Sequence, residues 1–251
     1  MRFIGIDLSW KVFPIKPNRT AAVVLNEKCE VVTEELLSTD EDIIEFVKLH
    51  KNDGCIMGID APLVVPPKIK QRKCERMLLS CKIGVFPGNR DWFFKAFGGV
   101  RGEVLVKKLD RQGIPLKDFI EQRQQKNAAL EVYPYASWKV LFTNKKVPKY
   151  KNTKRKEKIK GLKEIRQKIF DSSMKIKNGK ESNIEMDISR MSNRDLDSYG
   201  DILDALNAAY TVHVYWRSGE EKCVVLGNKK EGFILTLAND CLRKQAKKGK
   251  Y

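Results

Sequence analysis

Two short apolar runs end alike: Phe3-Ile4-Gly5-Ile6-Asp7 and Ile56-Met57-Gly58-Ile59-Asp60. Each reads as a buried strand closed by a carboxylate, and a buried carboxylate is costly unless a cation compensates it. A third, Asp204, lies in the helical run 201–216, which is apolar almost all round, so it needs a partner for the same reason. In an open α/β sheet, residues just past the carboxyl ends of neighbouring strands converge on one crevice. Asp201 and Asp204, three apart, share a helical face that a helix packed across such a sheet would aim at that crevice. The pattern predicts one shared site for Asp7, Asp60, Asp201 and Asp204.

The surrounding pattern sets the fold. Residues 2–7, 21–25 and 30–37 read as a three-strand antiparallel meander, 41–50 as a helix and 55–60 as a returning strand that Pro62 ends. From 64 to about 123 the pattern loosens into an insertion or lid with a short helix near 72–81. Its aromatic cluster, Trp92, Phe93, Phe94 and Phe97, reads as a minor core, with base stacking as the alternative. Residues 128–132 form another strand, and 223–226 with 233–237 a final hairpin, followed by a frayed basic tail. The expected architecture is α/β: a central mixed sheet opening as a three-strand antiparallel meander, with helices on both faces. It forms a single domain over 1–251, with an insertion at about 64–125 and a basic helical segment at about 145–180.

Formal net charge is +17, which draws polyanions to the surface, and nucleic acid is the expected partner. Residues 145–168 hold twelve basic and two acidic side chains, with Ile159, Leu162, Ile165 and Ile169 at near-helical spacing. That spacing predicts a helix with one docked and one basic side, from which Lys154, Arg155 and Lys158 would hold backbone phosphates. Arg72 and Arg76 would clamp a phosphate from one helical face. Only His50 and His213 are present, so a metal site must be built from oxygen donors, which suits Mg2+ or Mn2+. Glu131 sits in an alternating strand that would send it either to solvent or to that metal. The six cysteines have no CxxC spacing and are expected reduced and buried, with no disulfide-linked partner. No run approaches the ~20 apolar residues of a membrane helix, and a cytoplasmic protein is expected.

The strings GIDLSW, GIDAPL, RKCERML, LEVYPYASW and DILDALNAAY together resemble a domain-of-unknown-function family of predicted ribonuclease-H-like nucleases. The resemblance implies a ribonuclease-H-like fold and metal-dependent hydrolysis of phosphodiester bonds. It matches Asp7 and Asp60 to acidic strand positions, Asp204 to the acidic position on the closing helix, and Glu131 to the acid before Tyr-Pro. With Asp201 these are the expected ligands of Mg2+ or Mn2+, and Asp7, Asp60, Glu131 and Asp204 the expected catalytic set. The usual carboxylate on the first helix has no counterpart, since Glu41, Asp42 and Glu45 read as solvated or capping residues. Two other readings stand beside the nuclease. One is a non-catalytic nucleic-acid-binding module on the same fold. The other is a phosphotransferase of the actin and sugar-kinase type, which needs a duplicated lobe that this chain does not repeat.

Overall fold

The computed structural model describes residues 1–12, 19–143, 146–171, 174–179, 182 and 184–248. Its central sheet comprises β1 (Arg2–Asp7), β2 (Thr20–Asn26), β3 (Val31–Leu37), β4 (Cys55–Asp60) and β5 (Ala128–Glu131), in the order β3-β2-β1-β4-β5. The first three strands pair antiparallel, while β4 runs parallel to both β1 and β5. Between β3 and β4 comes α1 (Asp40–His50), started by a reciprocal cap between Thr39 and Asp42. Next follow α2 (Lys73–Ser80), α3 (Arg90–Phe97) and α4 (Arg101–Asp110), then β5, α5 (Pro134–Leu141), α6 (Arg155–Phe170) and α7 (Asn193–Ser218). A separate hairpin, β6 (Cys223–Asn228) and β7 (Gly232–Leu237), leads to α8 (Asp240–Lys248). Strand order and helices on both faces match the ribonuclease-H-like topology.

Strand parity decides which way the aspartates point. Phe3, Ile56, Ala128 and Leu130 share one core with α6 and α7. Ile4, Ile6, Met57, Ile59 and Ala129 face the other way, onto α1 and α4. With side chains alternating along a strand, Asp7 and Asp60 belong to the α7 face and Glu131 to the opposite one.

Two glycines let α7 come close. Gly5 and Gly58 are directly paired across β1 and β4. A Cβ on Gly5 would stand 1.8 Å from the Ala205 carbonyl oxygen, and one on Gly58 2.6 Å from that of Ala208. No side chain fits there, so the backbone of α7 rests on the sheet at the level of Asp204. The helix also begins earlier than its apolar run, because Ser192 and Asp195 cap it reciprocally.

Other expectations change. Cys81 and Cys241 form a disulfide, contrary to six reduced thiols. Met77, Leu78, Leu226, Ile234 and Leu242 share a small core that brings α2 and α8 together, and pairing across 160 residues leaves no local spacing signal. The other four cysteines are free and buried. The tail is helical through Lys248, held by Leu242 in that core and by Arg243 donating to the carbonyls of Glu220 and Glu221. Within the expected basic segment, residues 145, 172–173 and 180 lie outside the described residues, as do 249–250 of the tail. Among the described residues, no helix is long and apolar enough to cross a membrane.

Candidate functional site

Asp7 and Asp60 are register partners at the carboxyl ends of β1 and β4. Opposite them, Asp204 projects from a buried stretch of α7, with Asp201 one turn earlier. A lysine joins three of the four. Lys151 Nζ donates to Asp7 Oδ2 at 2.9 Å, and lies 2.9 Å from Asp201 Oδ1 and 2.7 Å from Asp204 Oδ2. The second oxygen of Asp204 accepts from Trp138 Nε1 at 2.9 Å and Tyr150 Oη at 2.8 Å, and Arg19 Nε donates to Asp201 Oδ2 at 3.0 Å. Asp60 has no hydrogen-bond or ion-pair partner among the described residues.

These environments set the charges. Burial lifts the Asp7 carboxyl to about 7, with Lys151 pulling it down and Asp201 and Asp204 adding to the rise. Asp60 is pushed well above the carboxylate range by burial first, then by Asp7 and Asp204. Burial opposes the charge on Lys151, yet Asp204, Asp7 and Asp201 outweigh it and hold the ammonium protonated. Burial and Asp204 likewise keep the Tyr150 phenol protonated, so it serves as a donor.

Glu131 stands apart, as its parity requires. Arg72 NH1 and NH2 donate to its two oxygens at 2.8 and 2.6 Å, and the Leu63 amide donates to Oε2 at 2.8 Å. Arg72 Nε donates to Glu75 Oε1 at 2.7 Å, while Glu75 Oε2 accepts from the amides of Arg72 and Gly88. Burial works against the guanidinium, but Glu131 and Glu75 prevail and keep it charged. The cluster ties the end of β5 to the segment leaving Asp60 and to α2. Arg72 is therefore occupied and enclosed, while Arg76 is exposed and donates to the Gln71 carbonyl. Lys154 and Arg155 are exposed at the start of α6, Arg155 bonding Asn193 and the Ser189 carbonyl. Lys158 is buried and paired with Asp197.

A family model described as "Protein of unknown function (DUF429)" matches residues 5–231. The chain belongs to the DUF429 family. Neither curated proteins nor solved structures yielded a match. The DUF429 span takes in all four aspartates, Glu131 and Lys151.

The donors around this DUF429 site are carboxylate oxygens, the chemistry that Mg2+ and Mn2+ prefer. Among the described residues, no group of three or more His, Cys, Asp or Glu is arranged to hold a metal ion. The carboxylates of Asp7, Asp201 and Asp204 are spread around an ammonium instead. Donor type fits a hard divalent cation, and space for one requires Lys151 to withdraw. Sequence reasoning did not single out Lys151, Tyr150, Trp138 or Arg19. Trp138 stood within LEVYPYASW, whereas Lys151 was one cation among twelve in 145–168.

Proposed function

We propose that this protein is a metal-dependent nuclease that hydrolyses phosphodiester bonds in nucleic acid. The carrying observation is the level pair Asp7 and Asp60 on adjacent parallel strands, facing Asp204 across a helix that lies directly on the sheet. Mg2+ or Mn2+ held by Asp7, Asp60, Asp201 and Asp204 would supply water activation and charge stabilisation at the leaving oxygen. Trp138 and Tyr150 fix the Asp204 carboxylate so that it does not reorganise during the reaction. Asp7, raised to about 7 by burial while Lys151 is in place, would give up its proton on binding the ion. Glu131, bound to Arg72, acts as a positioning residue for the chain just beyond Asp60 rather than as a ligand. Lys154 and Arg155 at the start of α6, and Arg76 on α2, provide exposed charge for backbone phosphate.

A second reading has its own observation. Lys151 bridges three carboxylates where a divalent ion would sit, and a nucleic-acid-binding module without turnover would retain that arrangement. One experiment separates them: labelled single-stranded, duplex and branched DNA and RNA are incubated in Mg2+, Mn2+ or chelator with wild type and Asp7→Asn. Metal-dependent cleavage that is absent in the folded variant supports the nuclease. Binding without cleavage under every metal condition supports the module.

A further inference from the structure

The carboxylate site opens into a cleft of about 510 Å³, within the size range of built ligand sites. Asp7, Asp60 and Asp204 form one end, while Trp10, Phe86, Tyr133 and Tyr135 line it with rings and Lys149 and Lys151 add cations. A site for phosphate alone has no use for such an aromatic wall. Phe86, between α2 and α3, is 65% exposed. One exposed ring is ordinary on a protein surface, but this one joins Trp10, Tyr133 and Tyr135 on the wall of a single cleft.

The ring is braced in place. Trp92 lies parallel to Phe86, 8° between planes and 6.2 Å between centroids, and Trp10 meets it edge-on at 5.8 Å. Trp10 in turn contacts Phe93 and Phe97 at 5.4 and 5.5 Å. Beneath them Val65, Phe93 and Val100 form a small buried core. The aromatic cluster thus divides into a foundation and a presented face.

We propose that this wall is a base-stacking subsite and that the strand bound is single-stranded DNA or RNA. One base lies against Phe86 and the tyrosines while its backbone passes the aspartates. The placement of the backbone rests on the nuclease reading, whereas the stacking surface does not. In a duplex both faces of each base are covered by neighbours, so a protruding ring finds nothing to stack on. In a single strand those faces are free, and stacking tolerates any sequence. Lys149, exposed at the rim, meets the phosphates sequence-independently. A hollow of about 40 Å³ continues behind Phe86 to Arg72 and Glu131. It has room for water and not for a base, so the base lies along the wall.

The test is fluorescence anisotropy of short labelled oligonucleotides in chelator, so that no cleavage intervenes. Single-stranded DNA, single-stranded RNA and a duplex of the same sequence are titrated with wild type, Phe86→Ala, Phe86→Tyr and Tyr135→Ala, each checked for folding by circular dichroism. At least one single strand should bind more tightly than the duplex. Phe86→Ala should weaken that binding by roughly five- to 150-fold, leaving duplex binding unchanged, and Phe86→Tyr should bind as wild type does. Tyr135→Ala should lose affinity in the same direction, and it decides the matter if Phe86→Ala does not fold. Equal affinity for single strand and duplex, undiminished single-strand binding by the alanine variants, or no wild-type binding to any of the three overturns the proposal. Cleavage in Mg2+ and Mn2+ is scored separately. Stacking without cleavage leaves the subsite and removes the nuclease, and cleavage with no effect of Phe86 on binding does the reverse.

Discussion

Of the four aspartates, Asp7, Asp201 and Asp204 pair with Lys151 or Arg19, while burial raises the Asp60 carboxyl and favours its neutral form. Lys151→Met removes the ammonium that three of them share. In chelator this should cost about 1–3 kcal/mol, less than the ~3–5 of an enclosed pair, because 35% of the lysine side chain is exposed. Mn2+ should then raise the Tm of the variant more than that of wild type, since the ion no longer competes with a tethered cation. Thermal unfolding in chelator and across a Mn2+ series checks both, and a variant as stable as wild type in chelator contradicts this role. Asp7 gives a pH signature. Its folded value of about 7 lies above its ordinary 3.8, so the folded state holds that proton more tightly. The associated stability is full below about pH 4 and is lost as pH rises through about 7. Asp7→Asn escapes the loss. In chelator, urea unfolding should find the variant matching wild type near pH 4 and exceeding it near pH 8.

At the scale of elements, the site depends on how closely α7 lies on β1 and β4. Gly5→Ala would drive a methyl into the Ala205 carbonyl, 1.8 Å from its ideal position. Overpacking against backbone has no flexible side chain to absorb it, so the expected loss is at the upper end of the usual range, about 3 kcal/mol or more. Asp204 would move away from Asp7 with the helix, so Mn2+ binding should weaken alongside the urea midpoint. A midpoint within error of wild type would refute the close contact. This element was largely legible beforehand: β1, β4 and the apolar run of α7 announce themselves by hydrophobic pattern, and strand ends place Asp7 and Asp60. The position of Glu131 was not: alternation left it to solvent or to the metal, and it is instead buried on the opposite face, since Leu130 and Val132 occupy the α7 face. Its partner was hidden as well, because Arg72 reaches it across 59 residues that hold three helices and leave no local spacing signal. Neither α4 nor α5 stood out: α4 lies within the loosened region 64–123, and α5 is a two-turn helix started by Pro134 directly after β5, where the proline read as a strand end. Lys151 was hidden for a different reason: a lysine inside a basic run carries no mark of burial, and only the tertiary fold brings three carboxylates around it.

Over the whole molecule, the excess of positive charge divides into cations that hold the protein together and cations that face solvent. Arg72 and Lys158 belong to the first group, enclosed against Glu131 and Asp197. Lys156, Lys160 and Lys163 on α6 belong to the second; the Lys160 contact with Glu164 is solvent-exposed and contributes little. The two groups should separate in a salt titration. Each exposed lysine that neutralises a phosphate contributes roughly 0.7 to the slope of log affinity against log salt for a single strand. Replacing Lys156, Lys160 and Lys163 together with alanine should therefore flatten that slope by up to about 2, weaken binding evenly across sequences and leave the Tm nearly unchanged. Lys158→Ala should do the opposite, lowering the Tm by removing a buried side chain and its ion pair with the part-exposed Asp197 while leaving the slope intact. A slope unchanged by the triple replacement would move the phosphate path off this face of α6. It would then have to run along the rim near Lys149, where the cleft itself begins.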